Sequence, residues 1–189
     1  MRIKFALATL VAVLPLVGLT ACSNDDPSTK AFNDADVSFA QGMIPHHRQA
    51  TTMAKLADGR TTNTAVLDLA AGIIAAQQPE IDAMSGWLKS WDKKVPSEMG
   101  EMEGMDHGTS SDMPPGMMGD DEMAKLESKS GTTFDIEFLK MMIEHHKGAI
   151  EMASIEEADG TYPRAVSLAK KIQQDQAAEI SKMESLLKL

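Results

Sequence analysis

Apolar positions along the chain recur at helical spacing, and no segment alternates between apolar and polar residues as a strand does. Between residues 36 and 54 one set of side chains falls within an arc of about 120° on a helical wheel, and Arg48, Thr52 and Lys55 point away from it. The set is Asp36, Phe39, Met43, His46, His47, Ala50, Met53 and Ala54. A second arc of similar width is formed by Leu69, Ile73, Gln77, Glu80, Ile81, Met84 and Leu88. The pattern therefore predicts amphipathic helices and no sheet.

The same helical pattern occurs a second time, 99 residues further along the chain. "MIPHHRQATTMA" begins at Met43, and "MIEHHKGAIEMA" begins at Met142. The register returns in a later helix of each repeat, where the matched pairs include Gln77 and Gln176, Glu80 and Glu179, and Met84 and Met183. Between the matched blocks the offset drifts around "ADG" at 57–59 and 158–160, so each repeat is predicted to be a helix, a Gly-containing turn and a second helix.

Neither helical hairpin can bury its apolar stripe alone, because the stripe needs another layer to pack against. We therefore expect an all-α fold, an antiparallel four-helix bundle built from two duplicated hairpins. The bundle domain is predicted at residues 33–189, with repeat 1 at 33–94, a Met-rich crossover between helices 2 and 3 at 95–123, and repeat 2 at 124–189. The crossover is rich in Pro, Gly, Ser and acidic residues, which predicts disorder.

The first 21 residues have the features of a signal peptide. Arg2 and Lys4 precede an apolar stretch that is short and interrupted for a membrane span. The stretch ends in "LTAC", which resembles a bacterial lipoprotein signal with Cys22 as the acylated N-terminus; an ordinary secretory signal that happens to contain a Cys is the alternative. We expect a lipid anchor at Cys22, a flexible tether at 22–32 and an extracytoplasmic location in the cell envelope.

Charge and composition narrow the partners of the mature chain. The chain has 28 acidic and 18 basic residues, and removal of the signal peptide takes away two basic residues and no acidic one. This balance argues against nucleic acid or an anionic lipid face as a partner and favours cations. Methionine is unusually frequent, at 15 residues against five Phe, two Trp and one Tyr. Core filling does not explain this number, because several of the methionines lie in the crossover.

Four of the five histidines lie in the two repeated segments, at matched positions. Each neutral imidazole has one donor and one acceptor to satisfy, and an unmade bond costs about 1–3 kcal/mol when buried. Glu80, Glu179 and the two matched Gln side chains also face inward, so the bundle is predicted to contain a polar layer. The layer is either a hydrogen-bonded structural feature or a metal site.

Spacing suggests how such a site would be arranged. Met43 precedes His46 by three residues and His47 by four, so it neighbours both on the helix surface. Adjacent residues diverge by about 100° on a helix, so we do not expect His46 and His47 to bind one ion together. One His and the preceding Met of each repeat are predicted to converge by pseudo-twofold symmetry, with the other His oriented by Glu80, Glu179 or the matched Gln side chains.

The ligand types favour a soft metal. Thioether and imidazole together suit Cu(I), whereas Mg²⁺ or Ca²⁺ would require carboxylates. A di-iron site requires Glu-x-x-His, but Met43 and Met142 occupy the position three before each pair. A zinc-protease His-Glu-x-x-His motif is absent from the sequence, and no nucleophile–base pair is apparent, so no enzyme activity is predicted.

The crossover supplies further candidate ligands. Apolar Met gains nothing from packing in a solvated acidic segment, and Met-x-x-Met-x-x-Met followed by Asp-His resembles the methionine motifs of periplasmic copper-handling proteins. The alternative is that the methionine run arose by random drift of a low-complexity segment. The crossover candidates are Met99, Met102, Met105, His107, Met113, Met117 and Met118.

The motifs "FxxxMIxHHxxAxxMA", "PGMM" and "IxxxQxxEIxxM" resemble the bacterial family called domain of unknown function 305, over roughly residues 33–188. The resemblance implies a ferritin-like four-helix bundle, secretion or lipid anchoring, and for some members copper binding and resistance. By position, the family's motif residues correspond to Met43, His46, His47, Met53, Met142, His145, His146 and Met152. Weaker or supporting candidates are Glu80, Met84, Glu179 and Met183.

The expected function is therefore a membrane-anchored lipoprotein of the cell envelope that binds copper as Cu(I) through Met and His. It would serve copper buffering, resistance or transfer, with another copper-handling envelope protein as the candidate partner. Two alternatives stay open: a ferritin-like redox enzyme, and an interaction or scaffold domain whose His layer is purely structural.

Overall fold

A computed structural model describes residues 31–97 and 114–188, and within them the chain forms five helices and no strand. The helices are α1 (Asp34–Lys55), α2 (Thr64–Ser90), α3 (Asp120–Glu127), α4 (Gly131–Asp159) and α5 (Pro163–Leu186). The all-α prediction is confirmed. None of the helices in these ranges is both long and apolar enough to cross a membrane. The predictions for the signal peptide, Cys22, Met99, Met102, Met105, His107 and Met113 lie outside the described residues.

Local sequence signals start the helices. At α1 the Asn33 side chain accepts from the Asp36 amide at 3.0 Å, and the Asp36 carboxylate accepts from the Asn33 amide at 2.7 Å, a reciprocal capping box. The Asn63 side chain caps α2 through the Ala65 amide, 3.1 Å away. Pro163 stands at the first position of α5, where its missing N–H is not needed. Each cap supplies a partner, or removes the need for one, at a helix start.

The long helices form two hairpins that cross at the centre of the bundle. α1 packs along α2 and α4 along α5, as the repeat predicts, and α1 and α4 provide the main contact between hairpins. These two central helices are antiparallel. Asn33 Nδ2, at the start of α1, donates to Asp159 O at the end of α4 (2.7 Å), and Gly131 N, at the start of α4, donates to Arg60 O (2.6 Å).

The apolar core has two parts, and the paired histidines lie between them. One part takes residues 50–57 of α1 and its turn together with residues 134–143 of α4; the other takes residues 37–44 of α1 and 149–153 of α4. His46–His47 and His145–His146 fill the gap in each helix. A polar layer therefore crosses the bundle between the two apolar core parts, as predicted.

The prediction that the whole crossover is disordered is wrong for its C-terminal part. Residues 114–119 are ordered against the bundle, and α3 begins at Asp120, inside the predicted crossover. Met118 is only 8% exposed and belongs to the first core part. Composition alone misses this order, because it arises from contacts with α1 and α4. The helix of repeat 2 that corresponds to α1 is α4, and it begins at Gly131, seven residues beyond the predicted start of repeat 2 at 124.

Candidate metal centre

His46 and His145 face each other at the crossing of α1 and α4. Their ring centroids are 3.8 Å apart, with an angle of 41° between the planes. Both side chains are fully buried. The antiparallel crossing therefore brings the first His of each pair into contact across the pseudo-twofold axis.

The second His of each pair binds a glutamate on the other helix of its own hairpin. His47 Nε2 lies 2.8 Å from Glu80 Oε2, and His146 Nε2 lies 2.6 Å from Glu179 Oε2. The predicted orientation of one His per pair by Glu80 and Glu179 is confirmed. Lys171 Nζ also contacts Glu80 Oε1 at 3.1 Å. Burial alone would raise the pKa of Glu80, but the hydrogen bonds and charges of His47 and Lys171 outweigh it and lower that pKa.

These acceptors determine which ring nitrogen carries the proton. The carboxylates of Glu80 and Glu179 can only accept, so Nε2 of His47 and of His146 carries the hydrogen. His46 has the same tautomer, because its Nε2 lies 3.0 Å from the carbonyl oxygen of Pro115. In a neutral ring the other nitrogen, Nδ1, is then a lone-pair acceptor.

Those lone pairs have no hydrogen-bond donor among the described residues. Nδ1 of His46, His47 and His146 is buried without a partner, and so are both nitrogens of His145. The amide of Gln77 and the amide oxygen of Gln176 are also without a partner, so the glutamines do not satisfy the rings. Each such atom costs about 1–3 kcal/mol. The layer is not a completed hydrogen-bond network.

Burial keeps the rings of His46, His47 and His145 neutral. Desolvation, helped by the charge of His47, lowers the pKa of His46 to about 3. Desolvation and the neighbouring histidines lower the pKa of His145 well below its usual value. Desolvation also lowers the pKa of His47, against the opposing effect of Glu80. At neutral pH these nitrogens can coordinate a metal without first losing a proton.

The methionines occupy the two core parts on either side of the histidine layer. Met142 lies in one part and Met43 in the other, so these two side chains lie on opposite sides of the layer, and their convergence on one ion stays a prediction. Met43 and Met142 each precede the first His of a pair by three residues, which is roughly 4.5 Å along the helix axis. Because α1 and α4 are antiparallel, the two methionines lie on opposite sides of the histidines. The remaining methionines follow the same division, with Met53 and Met183 beside Met142, and with Met84 and the half-buried Met152 beside Met43.

Each side of the layer therefore receives methionines from both repeats. Met152 Sδ lies 3.7 Å from the position that a Cβ on Gly42 would occupy, next to Met43. Within residues 31–97 and 114–188, no three His, Cys, Asp or Glu side chains form a group able to hold a metal ion.

Sequence reasoning missed the backbone and side-chain groups that seat residues 114–119 on the layer. These are the Pro115 carbonyl, Gln49 and Gly148. A carbonyl leaves no trace in a side-chain pattern. Gln49 and Gly148 occupy matched positions of the two repeats, and this difference between the repeats is the sequence feature that could have indicated where residues 114–119 are seated.

Comparison with known proteins identifies related chains. The profile of a family described as "Domain of unknown function (DUF305)" matches residues 36–187. A DUF305 protein from Streptomyces coelicolor, described as secreted, is 34% identical, with a TM-score of 0.71 over 81% of this chain and 91% of that one. CopM has been solved in a Cu(II)-bound form at 32% identity and a TM-score of 0.67, over 81% and 95% of the two chains.

A second form of CopM and a viral protein are also similar to this chain. CopM in the Cu(I)-bound form is 29% identical, with a TM-score of 0.65 over 81% of this chain and 95% of that one. An uncharacterized protein of Acanthamoeba polyphaga mimivirus is 45% identical over 60 residues, which are 32% of this chain and 39% of the viral protein. The viral match thus spans well under half of its relative.

Proposed function

The chain belongs to the DUF305 family, and we propose that it is a cell-envelope protein that binds a soft monovalent metal ion, Cu(I) in the cell, in its buried histidine layer. The observation that carries the proposal is the set of unpartnered imidazole nitrogens at the contact of His46 and His145. An ion bound there would supply the partner that the described residues do not.

The donor set fits a soft ion. Cu(I) and Ag(I) accept low coordination numbers and bind neutral imidazole and thioether. Methionines lie on both sides of the layer of histidine rings, and the surrounding core excludes water. Glu80 and Glu179 hold the neighbouring rings in one tautomer and leave Nδ1 available. A hard ion would find no comparable set of oxygen ligands in the described residues.

The relatives support the metal and the compartment. CopM has been crystallised with Cu(I), Cu(II) and Ag, and a Streptomyces relative is described as secreted. Together with the signal-like N-terminus ending at Cys22, this favours a lipid-anchored protein outside the cytoplasm. Binding without catalysis serves copper buffering, resistance or transfer to another envelope protein.

The test is Ag(I) binding by the mature protein with and without the ring pair. A single ion bound to the folded state alone adds about 2.7 kcal/mol of stability at a hundredfold excess over Kd, so Ag(I) raises the melting temperature. His46→Phe with His145→Phe keeps ring-sized side chains but removes the lone pairs. We expect this double variant to fold, to be more stable than the parent without metal, and to lose one bound Ag(I).

His107→Phe is the comparison variant, because His107 is a crossover candidate outside the two pairs, and its loss is expected to affect only metal capacity in the crossover. It is expected to leave the Ag(I)-dependent shift intact. A double variant that binds Ag(I) with the parent's stoichiometry and affinity would show that the histidine layer is structural.

A further inference from the structure

A short segment of backbone separates the histidine pair from solvent. We call residues 114–119 the strap. Pro115 is exposed, yet its carbonyl oxygen accepts a hydrogen bond from Nε2 of the fully buried His46, 3.0 Å away. Among the described residues, Pro115 therefore links the protein surface directly to that ring.

The strap lies backbone to backbone on α4. A Cβ added to Gly148 would overlap the carbonyl of Pro115 and would lie 2.7 Å from the Gly116 nitrogen. Gly116 has φ +75°, and a Cβ there would lie 2.6 Å from the carbonyl oxygen of Glu144. Both glycines are required by this close approach, because the atoms in the way are main-chain atoms that cannot swing aside.

Gln49 on α1 holds the other end of the strap. Its side-chain amide donates to Met118 O at 2.7 Å, and its amide oxygen accepts from Met118 N at 2.8 Å. Gln49 and Gly148 are matched positions of the repeat, 99 residues apart. The strap is thus seated where the two repeats differ, and it contacts His46 although the matched His145 has no such partner among the described residues.

We propose that the strap is the gate of the histidine layer, closed while Pro115 and Gln49 keep their hydrogen bonds and opened by local release of residues 114–119. The proposal rests on the proposed function and adds its regulation: the strap sets how fast an ion enters and leaves. Opening breaks three neutral hydrogen bonds and exposes Met118, while the contacts of α1, α2, α4 and α5 stay in place. The strap also holds His46 in the tautomer whose Nδ1 is free to bind.

Gly148→Ala tests the gate, and the chain provides matched controls. Gly72 and Gly86 are also helical glycines, but a Cβ on either meets nothing within 4 Å. All three substitutions improve helix propensity, and only Gly148→Ala displaces the strap. Gln49→Leu is a second variant, which removes both bonds to Met118 without a clash at α4.

The measurement is the release of pre-bound Ag(I) from the mature protein to an excess of competing thiol, alongside hydrogen exchange at the Met118 amide. We expect Gly148→Ala and Gln49→Leu to accelerate release at least tenfold and to accelerate exchange at Met118. Gly72→Ala and Gly86→Ala are expected to release Ag(I) at the parent rate.

Unchanged release from both strap variants, with faster exchange at Met118, would overturn the gate while leaving Ag(I) binding in place. Unchanged exchange at Met118 in both variants would overturn it too, because Gly148 and Gln49 would then not seat the strap. A parent protein that binds no Ag(I) is a distinguishable failure, in which the proposed function falls and the gate with it.

Discussion

Glu156 is predicted to weaken the fold at neutral pH, and its replacement by Gln to strengthen it. Its side chain is buried at the end of α4, and a Cβ on Gly160 would overlap it. Beside it, Asp36 accepts hydrogen bonds from the amides of Asn33 at 2.7 Å, Thr161 at 3.2 Å and Tyr162 at 2.9 Å. Burial alone would raise the pKa of Asp36, but these bonds and one from Glu156 lower it, so Asp36 is ionised.

The magnitude follows from the pKa of Glu156. Burial, together with the hydrogen bond and charge of Asp36, raises it from 4.5 to about 8. The folded protein therefore binds a proton that the unfolded chain releases, and the stability of the fold falls as the pH rises from about 4.5 to about 8. Each unit of pKa difference is worth about 1.4 kcal/mol, so at pH 7 the cost of taking up this proton is about 3 kcal/mol.

Glu156→Gln keeps the shape of the protonated acid and a hydrogen-bond donor toward Asp36. The amide needs no proton uptake on folding, so the free-energy cost of protonation disappears. Urea unfolding of the mature protein at pH 5, 7 and 9 measures the difference. We expect the variant to be about 3 kcal/mol more stable than the parent at pH 7, more so at pH 9, and nearly equal to it at pH 5. Glu157→Gln, at the exposed neighbouring position, is the control and should change stability by less than about 0.5 kcal/mol. A gain from Glu156→Gln that is the same at pH 5 and pH 9 would refute the titration argument.

Three further outcomes are expected. Cys22→Ala releases the mature protein from the membrane fraction without unfolding it, and a variant that remains bound would refute the lipid anchor. Because the pKa of His46 is about 3, Ag(I) binding to the layer persists at pH 5 and weakens only toward pH 3, and a loss of binding near pH 6 in a titration would contradict its burial. Replacing four crossover methionines by Leu is expected to lower the Cu(I) capacity while leaving the melting temperature nearly unchanged. An unchanged capacity would mean that these methionines do not bind copper and arose by low-complexity drift. Met118 is left out because it is in the core. The four are Met99, Met102, Met105 and Met113.

Much of the site was predictable because it depends on helical periodicity within one hairpin. His47 and Glu80 lie on facing stripes of α1 and α2, so spacing predicts a contact between one His of the pair and an inward-facing polar residue of α2, but not which His makes it. The same reasoning applies to His146 and Glu179 in the second repeat. The matching of the repeats likewise placed all four rings at one level of the bundle.

Contacts between the hairpins could not be read in this way. Periodicity shows which face of a helix is buried, but not the direction in which the partner helix runs. The antiparallel crossing of α1 and α4 is what brings His46 onto His145 and carries Met43 and Met142 apart. The crossover shows the same limit, since its composition predicts disorder while Gln49 and Gly148 order its last residues.

The sequence by itself determined the helices, their pairing into two hairpins and the residue types of the histidine layer, because these depend on spacing along one or two neighbouring segments. Only the tertiary structure decided which histidines meet, which nitrogens stay without a partner, and that the Pro115 carbonyl accepts from His46. Those features depend on main-chain atoms and on segments distant in sequence, and burial among them also sets the pKa of His46 and of Glu156.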